Sequence, residues 1–126
     1  MTRFVARAFA GDVAQTKEII KKAISHKGYA LLDILQPCVT YNKLNTYQWF
    51  KAKAYYLDSS YDSHDRNEAL RRASEFERLP LGIFYVNPKP TFEEKLSVYQ
   101  ESKEPLYKRN PDLNKLSEWI DSKRGI

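Results

Sequence analysis

The alternation and spacing of hydrophobic residues predict a strand followed by a helix near the start of the chain. Residues 4–9 are β-branched or aromatic with partial alternation, as in a short strand, which ends at Gly11. Asp12, followed three residues later by Gln15, has the spacing of a helix-capping box. The predicted helix stops at Gly28, because glycine readily adopts the left-handed conformation at a helix end.

The next segment, residues 29–35, is almost continuously apolar. This pattern is typical of a strand covered on both faces, as in parallel sheets. With the preceding strand and helix it predicts a βαβ unit, whose crossover we expect to be right-handed. Ligands of such folds bind beyond the carboxyl ends of the strands, which here means residues 36–42. The apolar face that the helix is expected to bury consists of Val13, Ile20, Ala23 and Ile24.

The second half of the chain is predicted to be mostly helical, with one strand at residues 81–86 and an exposed connection at residues 102–111. Four helix starts are marked by capping residues or proline: Asn45 with Gln48, Asp65 with Glu68, Thr91 with Glu94, and Asn110 with Pro111. The apolar residues expected to face inward are Trp49, Phe50, Tyr56, Leu57, Leu70, Ala73, Phe76, Leu113, Leu116 and Ile120. Because so few strands make an unusually small parallel sheet, we expect this sheet to be part of a larger one.

Composition indicates a folded chain. Its 126 residues suffice for a single domain or part of one, and 42% hydrophobic with 29% charged residues excludes a disordered protein. The sequence contains neither an apolar run long enough to cross a bilayer nor the pattern of a signal peptide. A single cysteine cannot form an internal disulfide bond. We therefore expect a cytoplasmic protein without a membrane partner.

Positive charge is concentrated in the first half of the chain. Residues 1–57 carry nine Lys or Arg against three Asp or Glu, a net charge of +6, whereas residues 58–126 carry twelve against thirteen, a net charge of −1. A basic half attracts acidic proteins, phosphorylated cofactors or nucleic acid, chiefly by raising encounter rates. The simpler interpretation is a solvated, lysine-rich helix face.

Cys38 is the first candidate for a nucleophile or a metal ligand. It follows a predicted buried strand and Pro37, and it lies in the basic half of the chain. Positive surroundings favour the thiolate, which is the form that reacts or binds metal. The alternative is a small buried hydrophobic residue. A cysteine protease is disfavoured, since His26 ends the helix far from Cys38 and His64 lies in a predicted turn. Asp33, inside the apolar run, is interpreted as a structural hydrogen-bonding partner of a neighbouring loop, in preference to a catalytic carboxylate. The sequence alone offers no complete metal site and no glycine-rich phosphate loop.

Residues 35–42, LQPCVTYN, resemble a segment of the beta subunits of 2-oxoacid:ferredoxin oxidoreductases of the pyruvate and 2-oxoglutarate type. Further segments resemble the same family in the same order: residues 4–12, 26–33, 45–51, 64–66 and 79–85. The resemblance covers about residues 3–95. The chain is therefore identified as the C-terminal portion of such a subunit.

This resemblance implies an α/β fold, the C-terminal half of a thiamine-diphosphate-binding parallel sheet. Within residues 1–126 we expect a βαβ unit at 1–36, a cysteine loop at 37–45, and a mostly helical extension at 46–126 with one strand near 81–87. The family oxidatively decarboxylates a 2-oxoacid to acyl-CoA and CO₂ and reduces ferredoxin. It uses thiamine diphosphate with Mg²⁺ and a [4Fe–4S] cluster on four cysteines. By resemblance, Cys38 is one of the cluster ligands.

The family's other cluster cysteines and its Gly-Asp-Gly cofactor signature are missing from this sequence. We therefore expect no catalytic residue, no cofactor and no activity on the isolated chain. The expected partners are the N-terminal half of the beta subunit, the alpha subunit, ferredoxin and coenzyme A.

The alternative function is a non-catalytic interaction or regulatory module, which binds a protein subunit or, less favourably, nucleic acid through the basic half. The residues that could stack on bases, with packing as their simpler use, are Tyr41, Tyr47 and Trp49 beside Lys43, Lys51 and Lys53.

Overall fold

The computed structural model of the protein describes residues 3–125. The chain forms two compact units, residues 1–92 and 93–126. The first unit contains β1 (Arg3–Phe9), α1 (Val13–Ser25), β2 (Tyr29–Leu35), α2 (Tyr47–Lys53), β3 (Ala54–Tyr56), α3 (Arg66–Ala73) and β4 (Leu79–Asn87). The second contains a 3₁₀ turn (Glu93–Lys95), α4 (Ser97–Glu101), another 3₁₀ turn (Leu106–Lys108) and α5 (Leu113–Lys123).

The four strands of the first unit form one mixed sheet in the order β2-β1-β4-β3. Strands β1 and β2 are parallel and pair without interruption from Arg3 with Tyr29 to Phe9 with Leu35. This confirms the predicted unit of strand, helix and parallel strand. Strand β4 runs antiparallel to β1, and β3 is parallel to β4. The prediction of a purely parallel sheet is therefore wrong, because β4 returns beside β1 in the opposite direction.

The core of the first unit lies between β1 and α1. Phe4, Ala6 and Ala8 point from β1 to this side, where they pack with Ile19 of α1. The expected apolar face of α1 is wrong in three positions, since Val13, Ile20 and Ile24 are exposed and only Ala23 packs at the core. The face that meets the sheet consists instead of residues 16, 19 and 23, with Ile19 and Ala23 at the core and the Thr16 hydroxyl donating to the Phe9 carbonyl at 2.9 Å.

Strand β2 lies at one end of the sheet, and most of its side chains are exposed. Tyr29, Leu31 and Ile34 are among the exposed large hydrophobic residues. Within the described residues, the prediction that β2 is covered on both faces is therefore wrong. The apolar run instead marks an uncovered end of the sheet.

Several predictions for the second half also need correction. Strand β3 was not predicted, because it follows α2 directly and no turn residue separates them. Thr46, not Asn45, caps α2, and Asp112 rather than Asn110-Pro111 starts α5. The Thr91–Glu94 box does not start one continuous helix, since a 3₁₀ turn precedes the short α4. The residues expected inside but found exposed are Tyr56, Leu70, Ala73, Phe76, Leu113, Leu116 and Ile120.

Two predicted helix caps are confirmed. Asp65 caps α3, where its carboxylate accepts from the N–H groups of Asn67 at 2.8 Å and Glu68 at 3.1 Å. Asp12 caps α1 by accepting from the N–H of Gln15 at 3.0 Å. The predicted helix stop at Gly28 is wrong, because α1 already ends at Ser25 and its C-cap residue, His26, has an extended backbone; Gly28 has a positive φ of 109° in the connection to β2.

Candidate functional site at the Cys38 loop

The loop that carries Cys38 starts directly after β2, beyond the carboxyl ends of β1 and β2. The N–H of Ala10 donates to the Leu35 carbonyl at 3.0 Å, which extends the pairing of the two strands to their ends. Pro37 is buried, whereas the next residue, Cys38, is exposed. The predicted position of this loop, beyond the carboxyl end of β2, is confirmed. The interpretation of Cys38 as a buried hydrophobic residue is wrong.

Asn42 makes local hydrogen bonds that stabilise the conformation of the loop. Its N–H donates to the carbonyl of Cys38 at 2.8 Å. Its side-chain oxygen accepts from the N–H groups of Leu44 at 3.0 Å and Asn45 at 2.9 Å, as in an Asx turn. Sequence reasoning did not single out Asn42, although an asparagine in a turn is the signal that could have identified it. The backbone around the exposed thiol is therefore fixed by local hydrogen bonds.

The far end of the loop is anchored where α2 packs on the end of β1. Thr46 accepts from the N–H of Trp49 at 3.3 Å. The buried ring of Phe9 stacks on Phe50 with ring centroids 5.6 Å apart, and it also contacts Tyr47 at 6.0 Å. These contacts fix both ends of the Cys38 loop to the same sheet edge.

The aromatic residues proposed for base stacking are mostly engaged in packing. Trp49 meets Phe50 edge-on at 5.0 Å, and the ammonium of Lys53 lies 4.9 Å from the centre of the Trp49 ring. Tyr47 contacts Phe9, whereas Tyr41 is 91% exposed. The packing interpretation therefore accounts for two of the three rings.

A hydrogen bond between Tyr56 and Asp12, near the carboxyl end of β1, was not predicted from the sequence. The hydroxyl of Tyr56 in β3 donates to the carboxylate of Asp12, the residue that caps α1. The N–H of Gln15 and the Tyr56 hydroxyl lower the pKa of Asp12. The hydrogen bond to Asp12, together with partial burial, raises the pKa of Tyr56 to about 12. This bond ties β3 to the start of α1.

Asp33 does not bind a neighbouring loop. Its carboxylate accepts from Arg7 Nε at 2.8 Å, on the residue opposite it in the register of β1 and β2. Arg7 also lies over the ring of Phe84, 5.3 Å from its centre. Asp33 is thus part of a cross-strand ion pair, and the prediction of a structural role is correct in kind but not in partner.

Both histidines lie near the opposite end of β1 from Cys38. The ring of His26 lies 5.6 Å from that of Phe4 at the beginning of β1. His64 lies in a turn next to Ser63, whose carbonyl accepts from the N–H of Val86, the residue paired with Phe4. This placement confirms the predicted separation of His26 from Cys38 and the predicted turn at His64.

The described side chains offer Cys38 as a candidate metal ligand but no complete metal site. Among residues 3–125, no group of three or more His, Cys, Asp or Glu side chains could hold a metal ion. Cys38 is the single cysteine of the sequence. A metal centre that used its thiol would need further ligands from another segment of protein.

Cys38 is also the first residue of the region that matches a known protein family. The sequence family described as the C-terminal part of the pyruvate ferredoxin oxidoreductase beta subunit matches residues 38–101. The chain belongs to this family.

Curated relatives agree with the match. The chain is 44% identical over 108 residues to the beta subunit of a Sulfolobus 2-oxoacid:ferredoxin oxidoreductase, which covers 75% of this chain. It is 45% identical over 107 residues to the beta subunit of 2-oxoacid:ferredoxin oxidoreductase 1 of Aeropyrum pernix. The chain spans only 35% and 34% of the length of these two relatives. The resemblance to a C-terminal portion of such a beta subunit is thereby confirmed.

A solved structure shows the same fold. The 2-oxoglutarate:ferredoxin oxidoreductase from Magnetococcus marinus, with 2-oxoglutarate, coenzyme A and succinyl-CoA bound, matches with a TM-score of 0.78 at 27% identity. The match covers 92% of this chain and 40% of that chain.

In residues 3–125, no helix combines the length and apolar character needed to span a membrane.

Proposed function

We propose that this chain is the portion of a 2-oxoacid:ferredoxin oxidoreductase beta subunit that supplies Cys38 as one thiolate ligand of a [4Fe–4S] cluster. The complete enzyme would decarboxylate a 2-oxoacid, transfer the acyl group to coenzyme A and pass the released electrons to ferredoxin. The supporting observation is the exposed, locally fixed Cys38 at the carboxyl end of β2, where the family match begins.

The residues present suit one corner of the cluster. Cluster iron binds cysteine thiolates, and an exposed cysteine on a fixed loop can reach iron without a change in the fold. When bound, the cluster would act as an electron carrier. Within residues 3–125, no group of three or more His, Cys, Asp or Glu side chains could hold a metal ion. The other three ligands, and the sites for thiamine diphosphate and Mg²⁺, would therefore belong to another part of the protein.

The other residues of the loop would hold Cys38 in position. Asn42 holds the backbone on both sides of the turn, and buried Pro37 limits movement of the chain before the thiol. Thr46 and Phe9 fix the exit of the loop. This arrangement would keep the sulfur of Cys38 at a constant place relative to the other ligands.

The proposed partners follow from the same assignment. They are the N-terminal part of the beta subunit, an alpha subunit, coenzyme A and ferredoxin. The basic first half would raise the rate of encounter with an acidic ferredoxin or an anionic cofactor, an effect that weakens with salt.

Cluster reconstitution tests the role of Cys38. The chain would be mixed under anaerobic conditions with iron, sulfide and a segment of a further relative, the 2-oxoacid:ferredoxin oxidoreductase beta subunit of Saccharolobus solfataricus, which is 38% identical to this chain. The segment is the part of that subunit that precedes its matched portion. Broad visible absorbance is expected in the mixture only, with loss of that absorbance in Cys38→Ser. Tyr41→Phe, a change at a 91% exposed side chain of the same loop, is the matched control and should leave the absorbance unchanged. An unchanged spectrum in Cys38→Ser, or full absorbance from the chain alone, would overturn the proposal.

A further inference from the structure

The face of the sheet opposite α1 holds an open groove. The core residues of β1 pack against Ile19 of α1, so the alternate residues Arg3, Val5 and Arg7 lie on the other face. Helix α3 packs against β4, and the groove lies between α3 and the strands β1 and β2. Its volume of about 400 Å³ is within the range of small-molecule binding sites.

The middle of the groove is apolar. Phe84 is 4% exposed and Ala69 is 6% exposed, so these two side chains form a closed floor. Leu31 of β2 and Leu70 of α3 lie at the rim and are 47% and 55% exposed. The apolar body of a ligand would remove the surface of both leucines from water, which favours binding.

Two guanidinium groups lie at one end of the groove. Arg3 is the first residue of β1, Arg66 is the first residue of α3, and both line the groove. The N–H of Val86 donates to the Ser63 carbonyl at 2.8 Å, and Val86 pairs with Phe4 in the sheet. The start of α3 therefore lies beside the start of β1.

Neither of these arginines has an acidic partner. None of the ion pairs within residues 3–125 involves Arg3 or Arg66. Glu68, in the first turn of α3, is bound instead by Arg71 and Arg72. The helix dipole does not account for Arg66, because the first turn of a helix favours negative charge. Both forked guanidinium groups can therefore donate to the oxygens of an anion.

The charges at the other end of the groove neutralise one another. Arg7 Nε donates to the Asp33 carboxylate at 2.8 Å, and both residues line the groove. Arg7 is four residues from Arg3, a distance of about 13 Å along an extended strand. The groove thus has a positive end and a neutral end with an apolar middle.

We infer that this groove binds an organic anion with an apolar body. The head group, a carboxylate or a phosphate, binds Arg3 and Arg66. The apolar body covers Leu31 and Leu70. An inorganic anion would leave these apolar walls exposed, and a neutral apolar molecule would leave the two guanidinium groups without a partner. The site lies at the amino end of β1, whereas the Cys38 loop lies at the carboxyl end.

Isothermal titration calorimetry of the full chain tests the inference with octanoate, octyl phosphate, octanol, acetate and inorganic phosphate. At least one of the two octyl anions should bind, and the one that binds more tightly identifies the head group. Octanol, acetate and inorganic phosphate should each bind at least about tenfold more weakly, because each lacks either the charge or the apolar body. Amide chemical-shift changes at Val5, Leu31 and Leu70 would locate the bound anion.

Substitutions test the two parts of the site separately. Arg3→Gln and Arg66→Gln should each weaken binding of the preferred anion by about tenfold, through loss of charged hydrogen bonds. Leu31→Thr keeps both arginines and should weaken binding by about fivefold, through loss of apolar contact. Lys17→Gln removes the same charge from α1 on the other face of the sheet, so it is the matched control and should bind as the wild type does. Circular dichroism would verify the fold of each variant.

Each alternative occupant gives a different result. Octanol binding as tightly as the anions would contradict the inference, since the groove would then recognise apolar surface alone. Equal binding of acetate or inorganic phosphate would also contradict it, because the apolar walls would then contribute nothing. Absent binding of both octyl anions, or unchanged affinity in Arg3→Gln and Arg66→Gln, would overturn it. Cys38→Ser should bind as the wild type does, so the result does not depend on the proposed role of Cys38.

Discussion

Gly11 lies in the short connection from β1 to α1, directly beneath the ring of Phe9. A Cβ atom at this position would lie 2.4 Å from Cε1 and 2.5 Å from Cζ of that ring. The ring is 5% exposed and is held by Tyr47 and Phe50, so it cannot swing away without disturbing α2. A side chain at Gly11 would therefore push on the anchor of the Cys38 loop.

Gly11→Ala should lower the free energy of unfolding by about 1–3 kcal/mol, the usual cost of forcing an extra carbon into a packed site. Urea denaturation followed by circular dichroism would measure the change. Gly125→Ala is the matched control, since no atom lies within 4 Å of its added Cβ, and its effect should stay within about 0.5 kcal/mol. Equal effects of the two substitutions would show that the Phe9 ring does not constrain Gly11.

At the scale of the element, helix α3 is stabilised by a compact group of charges. Glu68 accepts from Arg71 Nε at 2.7 Å and from Arg72 Nε at 2.9 Å. These guanidinium groups, Arg71 first, lower the pKa of Glu68 to about 2 from its ordinary value of 4.5. Arg72 also bonds Tyr55 in β3 at 3.2 Å, which connects the helix to the sheet.

Glu68→Gln should therefore change the pH dependence of stability. A carboxyl group with a lowered pKa in the folded state contributes stability that is present above its unfolded pKa and is lost as pH falls through the folded value. The difference in unfolding free energy between wild type and Glu68→Gln should thus be constant above about pH 5 and shrink between pH 4.5 and 2. Urea titrations across this range would measure it. Glu77→Gln, which removes a carboxylate that makes no ion pair in residues 3–125, is the control for the loss of one negative charge. A difference for Glu68→Gln that stayed constant down to pH 2 would contradict the assignment.

Local signals in the sequence located most elements of the first unit. Asp12 and Asp65 cap their helices because their side chains need only the next few N–H groups. The predicted buried face of α1 was wrong because two sets of residues lie at helical spacing. Residues 13, 20 and 24 form one set, and residues 16, 19 and 23, which face the sheet, form the other. The choice between them depends on the bond from Thr16 to Phe9, a contact outside the helix.

Features that depend on distant partners could not be predicted from spacing. The direction of β4 is set by its pairing with β1, and nothing in an isolated strand pattern specifies it. The bond between Asp12 and Tyr56 joins residues 44 positions apart. The Cys38 loop was located correctly because it depends on one local fact, the end of β2.

At the scale of the whole chain, the proposed ligand lies at the end of an exposed strand. Strand β2 is at one end of the sheet, and the Cys38 loop leaves its carboxyl end. Since the carboxyl ends of parallel strands share one edge of a sheet, this loop also lies beside the carboxyl end of β1.

The two compact units differ sharply in their cores. Among the side chains that the structure describes, the buried hydrophobic ones lie in the first unit: Phe4, Ala6, Ala8, Phe9, Ile19, Ala69, Leu81 and Phe84. In the second unit, no side chain among those described is buried. Since burial of apolar surface is the main source of cooperative stability, the first unit should provide the unfolding transition of the chain.

A shortened chain of residues 1–92 should therefore unfold cooperatively, with a melting midpoint within about 4 °C of the full chain, a shift that corresponds to roughly 1 kcal/mol or less. Thermal unfolding followed by circular dichroism would measure both midpoints. Phe84→Ala in the full chain is the comparison, since it removes a ring that is 4% exposed and should cost about 3–5 kcal/mol. That loss should lower the midpoint far more than removal of all 34 residues after Phe92 does. A shortened chain without a cooperative transition would show that residues 93–126 contribute to the stability of the sheet, contrary to the distribution of buried residues.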